Sequence, residues 1–329
     1  MMKMKLPRRR FLHMAAGAAA LSALPYVARA QAWPTRPIRA IVPFGAGSAV
    51  DVVPRLVFDQ LSSQLGQPIV VENRAGAGGT IGNAAVAKAE PDGYTILATA
   101  SALTIAPWVY KSLPYDTVRD LASVVALGSI PNVLVTSPAK GLTTIQAFVA
   151  AAKAKPGSFN YVSAGVGTAT QMSAELFRIR AGIEAVHVPL KSGPEAMTEI
   201  LSGRADFYLC PLNTALSFIR ERKLLGLVVS GANRAPELPE VPTTSEAGFR
   251  DADYTFWIGL FAPSRTPRAI INKLHGETLK ALETASVREK LAAVSVSPMR
   301  MTSEQFDARI KEEIASNAVL AKAAGIQPE

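Results

Sequence analysis

Apolar strand-like runs alternate with amphipathic helix-like runs along most of this chain, and that alternation limits the fold more than any other feature. IRAIVPF (38–44) reads as a buried strand, and VDVVPRLVFDQLSSQLG (50–66) as a helix closed by Gly66, with Pro54 in its first turn. PIVVENR (68–74), YTILATA (94–100), LASVVALGSI (121–130), NVLVTSP (132–138), FNYVSAG (159–165), EAVHVPL (184–190), ADFYLC (205–210), LLGLVVSG (224–231) and TFWIGLFAP (255–263) read as further strands. Helices are expected over 78–93, 143–157, 168–182, 194–203 and 214–223, and through the C-terminal third apart from 255–263. Such alternation implies an α/β protein with mostly parallel sheets, whose ligands sit beyond the carboxyl ends of the strands. A loose repeat of strand, small-residue loop and helix occurs at 38–64 and again at 159–181. It suggests two similar lobes that each present a loop toward a shared cleft.

The first 30 residues stand outside this pattern. Lys3, Lys5, Arg8, Arg9 and Arg10 form a positive n-region, Phe11 to Leu24 is apolar, and Ala28-Arg29-Ala30 is a small-x-small cleavage site before Gln31. That order is an export signal, and RRRFL gives it a twin-arginine character. The apolar part is short for a membrane span, which takes about 20 residues. The whole chain carries 35 basic and 26 acidic residues, net +9. Six of the basic residues lie in 1–30, leaving 29 against 26, or +3, for the rest. That balance does not call for a nucleic-acid partner. Cys210 is the only cysteine, so the fold rests on its core without an internal disulfide. One cysteine and the scattered His187 and His275 offer no metal-ligand spacing, and no cofactor is expected.

Two loops could carry chemistry. Phe44-Gly45-Ala46-Gly47-Ser48 joins a strand to a helix, and SAGVGTATQ (163–171) repeats the arrangement with hydroxyls on Ser163, Thr168 and Thr170. A helix N-terminus has unpaired N–H groups and about half a positive charge, so each loop can cradle an anion. Nucleotide chemistry fits poorly. Ser48 is followed by Ala49 and Val50 where a P-loop has Gly-Lys-Ser/Thr, and the last glycine of GAGGTIG (76–82) falls one place late for a dinucleotide fingerprint. No G-x-S-x-G elbow is present. His187, between valines on a strand, reads as structural, and His275 as lying on a helix surface. Asp51 reads as a first-turn cap that orders the first loop, Arg74 as packed structurally, and Lys191 as a cation either at the cleft edge or in solvent.

In order along the chain, WPTRPIRAIVPFGAGSAVD, LGQPIVVENRAGAGGTIG, AKAEPDGYTIL, SLPYDTVRDLASV, NYVSAGVGT, VHVPLKSG, ILSGRADF and PELPEVPTTSEAGF resemble the Bug family, the TctC-like periplasmic solute receptors of tripartite tricarboxylate transporters. The resemblance implies a two-lobed, type II-like periplasmic-binding-protein fold with a ligand cleft at the hinge. It places lobe 1 at 31–131 plus 257–329 and lobe 2 at 132–256. It implies a small mono-, di- or tricarboxylate ligand, membrane transporter subunits of the TctA/TctB type as partners, a monomeric receptor and no catalysis. On the family pattern the ligand site comprises Phe44, Gly45, Ala46, Gly47 and Ser48 with Asp51, Ser101-Ala102, and Ala164-Gly165 through Thr168. The strand end at Cys210-Pro211 borders such a cleft as well; Gln171 is a further candidate, and Asp206, which opens its strand after Gly203-Arg204-Ala205, is expected to order the hinge. Ser48, Gln171, Leu190 and Cys210-Pro211 depart from the residues common in the family: Ser48 brings a hydroxyl where glycine is common, and Cys210, Leu190 and Gln171 point to a less polar cleft that could admit an aromatic or longer carboxylate. A sensor that presents the same ligand to a signalling partner, and an exported enzyme, are the alternatives.

Overall fold

The computed structural model describes residues 33–231 and 233–328, so the export signal expected over 1–30 lies outside the described residues. Within Arg36–Glu329, one compact unit, the alternation becomes β1 (Ile38–Val42), α1 (Ala49–Leu65), β2 (Ile69–Asn73), α2 (Thr80–Ala87), β3 (Thr95–Ala100), α3 (Ala102–Val109), α4 (Thr117–Asp120) and β4 (Leu121–Ile130). There follow β5 (Asn132–Thr136), α5 (Ile145–Ala154), β6 (Phe159–Ser163), α6 (Ala169–Ala181), β7 (Ala185–Pro189), α7 (Gly193–Leu201), β8 (Phe207–Pro211), α8 (Leu212–Arg220) and β9 (Leu225–Ser230). The chain ends with β10 (Phe256–Pro263), α9 (Arg268–Glu283), α10 (Ala285–Ala293) and α11 (Ser303–Ala323).

The strands form two five-stranded sheets, ordered β2-β1-β3-β10-β4 and β7-β6-β8-β5-β9. The two share one plan. Three parallel strands come first, then one antiparallel strand (β10 or β5), then a strand parallel to the first three. Helices cover the sheets, so central strands such as β5 are buried throughout and read as continuous apolar runs. Each lobe has its own core. Ile41, Leu97, Trp257, Phe261 and Phe306 pack the first, and Phe148, Tyr161, Phe177 and Phe207 pack the second. Phe306 lies over Gly259, where a Cβ would sit 2.6 Å from its ring.

Local signals explain the boundaries. Val50, Val53, Val57, Phe58, Leu61 and Leu65 make the buried stripe of α1, which ends at Gly66 with φ +69°. Pro54 lies in the second turn, because the helix opens at Ala49, and it therefore leaves the Val50 carbonyl without its usual intrahelical donor. α2 is shorter than expected. Gly76, Ala77, Gly78 and Gly79 all have positive φ, and the Pro91-Asp92-Gly93 segment follows as bends, so only Thr80–Ala87 is helical. Thr144 accepts a hydrogen bond from the Ala147 amide and opens α5 as the sequence suggests. His275 does not simply face solvent: its Nδ1 lies 2.8 Å from the Val124 carbonyl oxygen.

Two connections join the sheets. Pro131 alone separates β4 from β5, and residues 231–255 lead from β9 to β10. A chain of hydrogen bonds crosses this joint. Asn132 Nδ2 donates to Ser173 Oγ on α6 and to the Tyr254 carbonyl, both at 3.3 Å. The Tyr254 hydroxyl donates to Asn317 Oδ1 on α11 at 3.3 Å, and Asn317 Nδ2 donates to Thr104 Oγ1 on α3 at 2.9 Å.

Candidate functional site

β1 and β6 both end in a small-residue loop, and each loop runs into a helix N-terminus, α1 or α6. Position by position, Gly45, Gly47, Ser48 and Asp51 match Gly165, Gly167, Thr168 and Gln171. Gly47 and Gly167 have φ +79° and +74°, a backbone that favours glycine. Their amides turn back onto the helix: Gly47 donates to Asp51 Oδ2 at 3.0 Å and Gly167 to Gln171 Oε1 at 2.8 Å. At the start of α1 the Asp51 amide donates to the Ser48 carbonyl, and the amides before it, like those that open α6, have no intrahelical acceptor and carry the positive end of the helix dipole.

Both loops border one cavity of about 1080 Å³. Phe44 to Ser48 line it from the first lobe, with Ala102 and the Gly76–Gly79 turn. Ala164, Gly165, Thr168, Leu190, Met197 and Phe218 line it from the second. Lys191 is the only charged side chain among the lining residues, and it is exposed. At one edge the lobes touch: the Tyr110 hydroxyl donates to the Val166 carbonyl at 3.3 Å. Gly78 is needed there, since a Cβ would come within 2.9 Å of both the Tyr110 hydroxyl and the Val166 oxygen.

The residues beneath the loops differ in character. Asp51 Oδ1 accepts from Arg55 Nε and from Asn73 Nδ2, each at 2.9 Å, and Asn73 Nδ2 also donates to the Phe44 carbonyl at 2.9 Å. Burial alone would raise the Asp51 pKa, but hydrogen bonds from Arg55, Gly47 and Asn73 outweigh it and hold the carboxyl below its ordinary value. Beneath the second loop the partners are neutral. Gln171 Oε1 is occupied by Gly167, so Nε2 faces His187 Nδ1 at 3.3 Å and donates to it. The His187 proton therefore sits on Nε2 and points at Ser163 Oγ, 2.7 Å away, while that hydroxyl donates to the Gly165 carbonyl at 3.1 Å. Burial pushes the imidazole pKa down to about 4. Ser163 and His187 are thus adjacent, but the imidazole is a donor toward the hydroxyl and not a base.

Eleven residues of the expected ligand site line the cavity: Phe44, Gly45, Ala46, Gly47, Ser48, Ala102, Ala164, Gly165, Val166, Thr168 and Pro211. The other six do not, Gly167 being turned back onto its helix. Asp51 and Gln171 stand behind the loops as fasteners. Ser101 is fully buried between the lining residues Ala100 and Ala102. Cys210 is fully buried behind the wall, and burial raises its thiol pKa to about 12. Asp206 lies at the opposite end of the second sheet, before the first residue of β8. It accepts from Lys140 Nζ at 2.7 Å and from the Asn160 amide at 2.8 Å, so it orders neither the cleft nor the joint. Arg74 forms a half-exposed ion pair with Glu72 at 2.6 Å.

Sequence reasoning missed Asn73, Arg55 and Tyr110. The i, i+4 spacing of Asp51 and Arg55 signals their pairing. Asn73 is found only once β2 is known to lie beside β1. Among the described residues no group of three or more His, Cys, Asp or Glu could hold a metal ion, and no helix is long and apolar enough to cross a membrane.

Residues 53–326 match the family described as tripartite tricarboxylate transporter family receptor. The chain belongs to that family. Protein BugT of Bordetella pertussis is 35% identical over 287 residues, 87% of this chain and 88% of BugT. Among solved structures, Rpa4515 of R. palustris with adipate has a TM-score of 0.86 at 29% identity, covering 90% of this chain and 100% of that one. The periplasmic binding protein BugD has a TM-score of 0.85 at 27% identity, covering 90% and 100%. MatC of Rhodopseudomonas palustris with bound malate has a TM-score of 0.81 at 28% identity, covering 88% and 99%. The chain is a solute-binding protein of the TctC/Bug family with the two-lobed periplasmic-binding-protein fold. Receptors of this family are periplasmic and are not enzymes.

Proposed function

We propose that this chain is an exported receptor that holds a small organic carboxylate between its two small-residue loops and hands it to membrane transporter subunits. The observation that carries this is the pair of helix N-termini, α1 and α6, whose loops border one cavity with a single charged side chain, the exposed Lys191. An anion there is stabilised by backbone dipoles, so no buried lysine or arginine has to be desolvated to hold it. Adipate and malate in the structures of Rpa4515 and MatC support a carboxylate here too. The Ser163–His187 pair supports a non-catalytic role, because the imidazole nitrogen that faces the hydroxyl already carries its proton. The lobes are assigned as 31–131 plus 257–329 and 132–256, and a carboxylate bridging both loops would favour their closed arrangement. Export rests on the N-terminal pattern of Lys3 to Ala30 and predicts a mature chain that begins at Gln31.

Calorimetric titration and thermal shift with succinate, malate, adipate, citrate, benzoate and octanoate test the ligand class. At least one acid should bind and raise Tm, and Gly47→Asp should weaken it at least tenfold, about 1.4 kcal/mol. If no acid gives heat or a Tm change with the folded protein, the carboxylate reading fails.

A further inference from the structure

The second-lobe wall of the cavity carries a cluster of large apolar side chains beside its loop. Leu190 follows β7, Met197 and Leu201 lie on α7, and Phe218 lies on α8; all four line the cavity. Met197 is buried, and Leu190, Leu201 and Phe218 are half-buried, so apolar surface remains for a ligand to cover. The wall is continuous with the second loop, because the Leu190 amide donates to the Ser163 carbonyl and the Leu190 oxygen would lie 3.3 Å from a Cβ on Gly165.

Three threonine hydroxyls on this side already donate to protein carbonyls, while the Ser192 hydroxyl accepts from the Glu195 amide and Asn213 Oδ1 is buried without a partner. Thr168 Oγ1 donates to the Gly165 carbonyl at 2.7 Å, Thr198 to Pro194 at 3.1 Å, and Thr214 to Pro211 at 2.7 Å. A hydroxylated or second carboxylate end would lose its water here and find few donors in return, which costs more than the contact returns. Lys191 does not change this. It sits exposed, and ordering an exposed lysine against a carboxylate returns little in water.

We infer that the cargo is a monocarboxylate with an apolar body, an aromatic ring or a chain of about six carbons or more. Its carboxylate lies at the two loops and its body against Leu190, Met197, Leu201 and Phe218. This rests on the carboxylate reading above and narrows it. The Leu190, Met197, Leu201 and Phe218 cluster of the second lobe then sets the preference for the body, opposite Phe44 and the glycines of the first loop.

Calorimetry on the purified protein, with butyrate, hexanoate, octanoate, benzoate and phenylacetate against succinate, malate, adipate and citrate, tests the inference. Affinity should rise along the chain series by about threefold per methylene, and octanoate or an aromatic acid should bind at least tenfold more tightly than any diacid or citrate. Leu201→Asp and Phe218→Ser, both at half-buried positions, should each weaken octanoate and phenylacetate at least tenfold with little change in Tm. Tighter binding of malate, succinate, adipate or citrate than of every monocarboxylate overturns the apolar-body inference and leaves the carboxylate receptor standing. An absence of binding by all nine acids to folded protein overturns both. Should the variants lose Tm, the ranking of the nine acids on the unaltered protein decides alone.

Discussion

Gly47 and Gly167 stand at matching places in two loops of matching shape, yet the group that receives each amide is different. The first loop is fastened by a carboxylate, Asp51, which is tied to Arg55 and Asn73. The second is fastened by the neutral carboxamide of Gln171, tied to His187. Exposure accounts for the contrast. Ala46 and Gly47 are exposed and Arg55 reaches solvent, so the first network can hold a charge, whereas Gly167 and Thr168 are buried. A carboxylate beneath the second loop would be desolvated beside an imidazole that burial keeps neutral. One anionic fastener rather than two also limits repulsion of an anionic cargo.

The largest expected consequence of this asymmetry comes from removing each fastener. Asp51→Ala leaves Gly47, Arg55 and Asn73 without their shared acceptor and should lower stability by about 2 kcal/mol. It should also weaken carboxylate binding more than tenfold. Gln171→Ala removes neutral hydrogen bonds and should cost about 1 kcal/mol. Chemical denaturation and titration compare the two variants, and equal losses would end the distinction. Gln171→Glu makes the second loop resemble the first. The new carboxylate beside Nδ1 should raise the His187 pKa from about 4 to above its ordinary 6.5, read by NMR of the imidazole.

Acid should loosen the two loops in sequence. His187 is held neutral in the folded protein, so between pH 6.5 and about 4 the unfolded chain takes up its proton first and stability falls with pH. The Asp51 carboxyl is held below its ordinary 3.8, so its stabilisation persists until still lower pH. Hydrogen exchange at pH 7, 5 and 4 should show the amides of 164–171 losing protection before those of 45–51. The smallest difference concerns the hydroxyls. Ser48 Oγ is buried without a partner and does not cap α1, whereas Thr168 Oγ1 is bonded within its own loop. Ser48→Ala should change stability by less than about 0.5 kcal/mol yet weaken binding severalfold, while Thr168→Ala should cost about 1 kcal/mol of stability.

Much of the fold was legible because its signals are local. Alternating apolar periodicity located the strands, and Gly66, Thr144 and Gly182 marked helix ends. The two loops could be found because a run of small residues between a strand and a helix is itself a local pattern. The rest depends on contacts between distant segments. Asn73 reaches Phe44 and Asp51 only through the pairing of β2 with β1. The antiparallel insertions of β5 and β10 cannot be read from alternation, which predicts parallel neighbours. Asp206 is different: it opens the 205–210 strand, and the rule that ligands sit beyond the carboxyl ends of strands already places it away from the cleft.

Pro131 is the whole of one passage between the sheets, and Asn132 beside it reaches Tyr254 on the other. A joint this short has no slack to absorb an insertion, since one added residue would reverse the facing of every side chain in β5. The other passage is the longer stretch of 231–255. Each sheet closes its own core, and the connecting strands enter at fixed places. Exchange of residues 132–253 for the corresponding segment of a relative should therefore give a hybrid receptor with the donor's cargo preference on this chain's first lobe.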